Sequence, residues 1–148
     1  MIVVTGATGA LNGATIDHLL ERTPPSELVV AVRDPARARR FADRGVVVRR
    51  ADYGDPGSLR SAFVGGDQLL LVSQNDLHAD GVALHRNAVE AAVEAGVGRI
   101  VYTSHQAAAP DNPFGPGREH FATESSSPRP APRGRHCGTA STPTASAG

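Results

Sequence analysis

A chain of 148 residues has room for one modest domain, and its 15 basic residues cancel its 15 acidic ones, so no net charge draws it to nucleic acid or an anionic membrane. All the basic residues are arginine, and the absence of lysine excludes any mechanism that needs a side-chain amine. The lone Cys137 argues against a disulfide framework, and the short apolar runs and uncharged opening MIVVTG argue against a bilayer span or signal peptide, so a soluble, cytoplasmic protein is expected.

The β-branched run Ile2–Gly6 (IVVTG) predicts a strand buried on both faces. Leu11, Ile16, Leu19 and Leu20 recur at helical spacing over Ala10–Arg22, and Pro24 and Pro25 stop that helix. Glu27–Arg33 (ELVVAVR) predicts a second buried strand. A helix follows over 34–45, with Asp34 as N-cap, Pro35 in the first helical position and Gly45 just past the end. VVVRRADY predicts strand three, DPGSLRSAFVGG a short helix with the same Asp-Pro start, and DQLLLVS strand four. Val82–Ala95 reads as a long helix rich in alanine and valine, closed by Gly96, and RIVYTS as strand five. Strand and helix alternating at this pace imply parallel βαβ units with right-handed crossovers. The expected fold is an α/β, Rossmann-like doubly wound parallel sheet in the order 3-2-1-4-5. From Ala107 the rhythm falters, and after Glu124 it is gone.

Strand one runs directly into GATGALNG, which opens a helix, and that context gives the glycines their weight. Gly6 turns the chain off the strand. Gly9 lets a pyrophosphate approach the backbone, where N–H groups at the helix start and the helix dipole meet its negative charge. The third glycine of such turns belongs at position 12, where this chain has Asn12 followed by Gly13. The departure is expected to loosen helix packing while leaving the phosphate contacts in place. At the end of strand two, an acidic residue would hold the ribose 2′-hydroxyl of NAD, whereas arginine suits the 2′-phosphate of NADP. Arg33 stands there, so NADPH is the expected coenzyme. Asp34 is explained as a cap, and Arg37, Arg39 and Arg40 as a solvated helix face.

In order, GATGALNG, VVAVRDPARA, ADYGDPGSL, LLLVS, LHRNAVEAAVEAGVGRIVYTS and REHFATE resemble the NmrA-like atypical short-chain dehydrogenases. Within that group the NAD(P)H:quinone oxidoreductases of type 2 are the nearest in look, over residues 1 to about 124. The resemblance implies a Rossmann fold of nearly twice this length, NADPH as hydride donor and a small-molecule quinone as acceptor, with a homodimer as the candidate assembly of the intact form. It places the pyrophosphate on Gly6, Ala7, Thr8, Gly9, Ala10, Leu11 and Asn12, and the 2′-phosphate at Arg33. Adenine would lie near Asp52, and the nicotinamide ribose near Ser73 and Gln74. Tyr102, Thr103 and Ser104 would line the floor under the nicotinamide. Ordinary short-chain dehydrogenases pair a tyrosine with a lysine four residues on, but here Tyr102 precedes Gln106 and Tyr53 precedes Gly57 at that spacing. Quinone reduction tolerates the loss. Hydride addition to an electron-poor ring gives a stabilised anion that water protonates, so positioning supplies most of the catalysis. A non-catalytic NADP-sensing regulator of the same family fits a lysine-free site as well.

Of the histidines, His18 and His85 read as helix-surface or boundary residues; His78 and His85, seven apart, could share a face, but no metal site is expected. His105 and His120 follow strand five on the carboxyl side of the sheet, where ligands bind in such folds. With Ser104 they are the candidate catalytic groups, a histidine serving as substrate contact or proton donor. A coenzyme-binding domain is therefore expected over residues 1–124 and a disordered tail over 125–148. Family members read approximately LLAASG-PWTALRNGFY at this point. In this chain, taking the third base of each codon with the first two of the next, from Glu124 onward, can spell LLAASGTPWTALR(N/H)GFYA. The expectation is a frameshifted, prematurely ended reductase without part of its substrate side. A genuine linker rich in Pro, Ser, Thr and Arg is the rival reading.

Overall fold

Branched side chains on both faces are what a strand needs when helices cover it from two sides, and Ile2–Thr5 (β1) and Leu28–Val32 (β2) have them. In the computed structural model, which describes residues 1–74 and 79–126, both strands are almost wholly buried. They are joined by β3 (Val47–Arg50), β4 (Gln68–Leu71) and β5 (Arg99–Tyr102) in one parallel sheet of order β3-β2-β1-β4-β5, as expected. The register pairs Val3 with Val29 and Leu69, and Leu70 with Val101. Because successive strand residues face opposite ways, the core divides in two. Val3, Val29, Ala31, Leu69 and Leu71 pack with Leu59 and Phe63 of α3 (Pro56–Phe63) and Ala88 and Ala92 of α4 (Gly81–Glu94). Val4, Leu28, Val30 and Val32 pack with Ile16 of α1 (Ala10–Leu19) and Phe41 of α2 (Arg39–Ala42). Phe41, Phe63, Ile16 and Leu69 are fully buried, each contributing about 1.5–3 kcal/mol relative to exposure.

The helix expected over 34–45 divides. Asp34 caps it, accepting from the Ala36 N–H at 3.0 Å, but a bond to a donor only two residues on tightens the first turn. Pro35–Ala38 is accordingly a 3-10 turn, and the α-helical part is confined to Arg39–Ala42. Asp55 and Asp80 cap α3 and α4 through the N–H groups of Ser58 and Ala83. Beyond the loop after β5, the structure adds α5 (Gly115–Ser126), which packs on α4 with Gly117, His120 and Thr123 buried. Two glycines and a proline in its first turn hid this helix from the apolar pattern, although proline is tolerated there. It runs two residues past the expected domain boundary; His78, Cys137 and the remaining tail lie outside the described residues. No helix among the described residues is long and apolar enough to cross a membrane.

Candidate functional site

The strand order spreads the carboxyl ends of β3, β2, β1 and β4 along one edge, and a cleft of about 810 Å³ runs beside them. Thr5, Gly6, Thr8 and Gly9 line its middle, Arg33, Asp34 and Arg37 the part after β2, Asp52 and Tyr53 the part after β3, and Val72, Ser73 and Gln74 the part after β4. Four of the seven residues placed on the pyrophosphate are not on the cleft wall. Ala7 is buried in the core, Ala10 and Leu11 are exposed on the first turn of α1, and Asn12 is buried beneath it. Arg37, read as part of a solvated helix face, is exposed and also lines the cleft beside Arg33.

The turn is built for close approach. Gly6 has φ +65°, and a Cβ there would lie 2.3 Å from Val72 Cγ1. The Gly9 N–H closes the turn on the Gly6 carbonyl at 3.0 Å, and Gly9 is the N-cap of α1 with no side chain to cap it. The first turn of α1 holds no acidic residue. Uncapped N–H groups at a ten-residue helix start, open to a cleft and free of negative charge, fit a bound pyrophosphate.

Asn12 does the opposite of what its departure from glycine suggests. It is buried, and its Nδ2 donates to the Thr5 carbonyl at 2.6 Å, tying α1 to the end of β1. The tight approach moves to Gly13, whose Cβ would meet the Ala7 carbonyl at 3.3 Å and an Arg40 guanidinium nitrogen at 2.6 Å. The signal was present in the sequence: an Asn-Gly pair in place of a single glycine shifts the small residue by one.

Tyr53, which the sequence reading assigned no role, bridges β1 and β4. Its hydroxyl donates to the Val72 carbonyl at 2.6 Å and lies 2.8 Å from Thr5 Oγ1, which also accepts from the Val72 N–H at 2.9 Å. Burial pushes the phenol well above its ordinary range, with the Thr5 bond opposing, so it is a fixed neutral group. Asp52 is half-buried, and its Oδ1 accepts from the Gly54 N–H at 2.9 Å.

Ser73 and Gln74, expected beside the nicotinamide ribose, are pinned from behind. The Ser73 N–H donates to Thr103 Oγ1 at 2.9 Å, and the Gln74 N–H to His85 Nε2 at 2.9 Å. Gln74 Nε2 reaches Glu119 of α5 at 3.1 Å. His85 is therefore neither a surface nor a boundary residue: its side chain is wholly buried under this loop. It lies three, four and seven residues before Ala88, Val89 and Ala92 on the buried face of α4, a spacing the sequence displays. Burial and the neighbouring His120 lower its pKa to about 4. Tyr102 presents its hydroxyl to His85 Nδ1 at 3.2 Å and His120 Nδ1 at 2.8 Å, whereas Ser104 donates to the Glu124 carboxylate. His120 is nearly buried; His105 is exposed, stacking at 5.9 Å on His120 and packing at 5.5 Å against Phe114. Of the three catalytic candidates, only His120 takes part in the Tyr102 cluster through hydrogen bonds.

A family model described as NAD(P)H-binding matches residues 6–126. Among curated relatives, quinone oxidoreductase 2 of Escherichia coli (strain K12) is 44% identical over 126 residues, which are 84% of this chain and 43% of the relative. An NmrA-like family domain-containing oxidoreductase of Aspergillus flavus is 35% identical over 127 residues, 82% of this chain and 41% of its own. Among solved structures, Citrobacter sp. triphenylmethane reductase complexed with NADP(H) superposes with a TM-score of 0.79 at 40% identity, covering 84% of this chain and 44% of that one. An NADPH-dependent quinone oxidoreductase from Escherichia coli complexed with NADPH gives 0.79 at 43% identity, with the same 84% and 44% coverage. The chain thus spans less than half the length of these relatives.

Proposed function

The chain belongs to the NAD(P)H-binding family, and from that premise we propose that it binds NADPH along the β-sheet cleft and delivers hydride to a quinone. The observation that carries this reading is the uncapped glycine turn at the start of α1, open to the same cleft as Arg33. In it the pyrophosphate lies against the N–H groups of the Gly6–Gly9 turn and the α1 start. Arg33 faces the 2′-phosphate, with Arg37 beside it; Asp52 borders the adenine; and Ser73 and Gln74 hold the nicotinamide ribose. Bound NADPH supplies a hydride, that is, a proton with two electrons. The quinone ring that accepts it becomes a quinol anion, and one proton from water completes the quinol while NADP⁺ remains. The chain's own work is to bind, orient and hold polar groups in place, which suits a protein without lysine. The relatives named for quinone reduction support the choice of acceptor.

The test has two arms. Titrating NADPH should raise the melting temperature, by the equivalent of about 2.7 kcal/mol at a hundredfold excess over its dissociation constant. Consumption of NADPH should then depend on added 1,4-benzoquinone. A melting temperature indifferent to coenzyme sinks the whole reading; binding without turnover favours the regulator over the reductase.

A further inference from the structure

Behind the Ser73–Gln74 loop, side chains from α4, β5, α5 and the loops after β3 and β5 form a column of rings. Tyr53 packs edge-on to His85 at 6.3 Å and His85 edge-on to Tyr102 at 5.3 Å, Tyr102 lies tilted to His120 at 5.6 Å, and His120 stacks with His105 at 5.9 Å. The hydrogen bonds through its middle have a definite direction. The Gln74 N–H can only donate, so His85 Nε2 is a lone-pair acceptor, and the neutral ring must carry its proton on Nδ1. That Nδ1–H faces Thr123 Oγ1 at 3.1 Å and the Tyr102 hydroxyl at 3.2 Å. Thr123 gives its own hydroxyl proton to the Glu119 carbonyl at 2.9 Å, so it receives from His85. With its oxygen facing the donor His85, the Tyr102 hydroxyl lies 2.8 Å from His120 Nδ1, where its O–H can donate. In that arrangement His120 accepts at Nδ1 and carries its proton on Nε2. Nε2 hydrogen-bonds no described residue, and the single buried side-chain polar atom without a partner among the described residues is Asn12 Oδ1, so the His120 N–H reaches solvent.

We propose that His120 is a neutral Nε2–H donor aimed at the oxygen of a carbonyl-type acceptor, and that Tyr102 and His85 are positioning residues that set its tautomer from the backbone of the coenzyme loop. The inference rests on the reductase reading, and it names the group that meets the charge growing on the quinone oxygen as hydride arrives. A neutral imidazole suits the task because it donates without itself needing to be charged, and fixed donors at a developing oxyanion are among the larger catalytic effects. The surroundings keep it neutral. Burial lowers the His120 pKa, His105 on the loop after β5 lowers it further, and Glu119 and Glu124 on its own helix oppose. From the other elements it faces Tyr102 of β5, held protonated by burial, and His85 of α4, held neutral. Glu119 also accepts from Gln74 Nε2, linking α5 to the Ser73–Gln74 loop.

Two measurements on the full chain test this. Nitrogen-15 NMR of the histidine rings, which needs no acceptor, should find His85 in the Nδ1–H form and His120 in the Nε2–H form near neutral pH. In Tyr102→Phe the His120 pKa should rise, since the bond that favours its neutral form is gone. His120 protonated at Nδ1, or a pKa unmoved in Tyr102→Phe, overturns the wiring. With NADPH and 1,4-benzoquinone, His120→Leu should lose roughly a hundredfold to a thousandfold in kcat with its NADPH affinity retained. His120→Gln, which keeps an N–H donor, should lose less. Undiminished turnover in His120→Leu overturns the donor role alone. A wild type that binds NADPH without turnover overturns the reductase reading and the donor role with it.

Discussion

Arg33 and Arg37 follow β2 by one residue and five, and both border the cleft. A guanidinium matches a phosphate in a planar, two-point geometry, so the proposed reading assigns discrimination of the 2′-phosphate to position 33. Arg33→Asp replaces that attraction with repulsion and offers a carboxylate to a 2′-hydroxyl. The ratio of NADPH to NADH affinity should fall by about tenfold or more, the equivalent of a lost charge-assisted hydrogen bond. Titration of both coenzymes against the variant measures it, and an unchanged ratio removes Arg33 from the site. The place of position 33 beside the cleft was legible in the sequence because it lies next to a strand whose end is marked by composition. Position 37 was not, because a helix exposes arginines all round and only the 3-10 turn after Asp34 brings this one to the cleft.

At the level of elements, the β1–α1 turn carries the most concentrated constraint. Gly6 adopts a left-handed conformation, which costs an L-residue about 1–2 kcal/mol, and its missing side chain leaves room for Val72 at the end of β4. Gly6→Ala adds steric overlap costing about 1–3 kcal/mol, so urea denaturation should show a total loss of about 2–5 kcal/mol. Adding Val72→Ala should recover part of it, because the two changes share one contact. Full additivity of the two would mean that the turn gives way elsewhere. The turn was readable from GATG alone, whereas the role of Asn12 was not. A buried amide looks in sequence like a loosened helix; only the Thr5 carbonyl within 2.6 Å makes it a tie.

For the whole molecule, the ring column links stability to pH. His85 has its pKa lowered from 6.5 to about 4, so between those values the unfolded chain binds more protons than the folded one. Its contribution is complete above about pH 6.5, is lost progressively as pH falls toward 4, and levels off below that. His120 shifts in the same direction. Asp55, lowered by its Arg50 and Ser58 bonds, adds a further loss only once the pH falls below the ordinary carboxylate range. Denaturation midpoints of wild type should therefore decline between pH 6.5 and 4, and those of His85→Gln, which titrates nothing there, should decline less. Parallel curves for the two proteins would place the pH dependence elsewhere.

The amino-acid sequence by itself determined the alternation of strands and helices, the two-sided burial of β1 and β2 and the glycine turn, because each depends on residues within a few positions of one another. The parallel order followed from crossover geometry. Packing alone decided that His85, Tyr102 and His120, up to 35 positions apart in the chain, meet behind the Ser73–Gln74 loop. Their contact requires α4 and α5 to lie side by side at the end of β5, and no local spacing records which face of α5 turns inward.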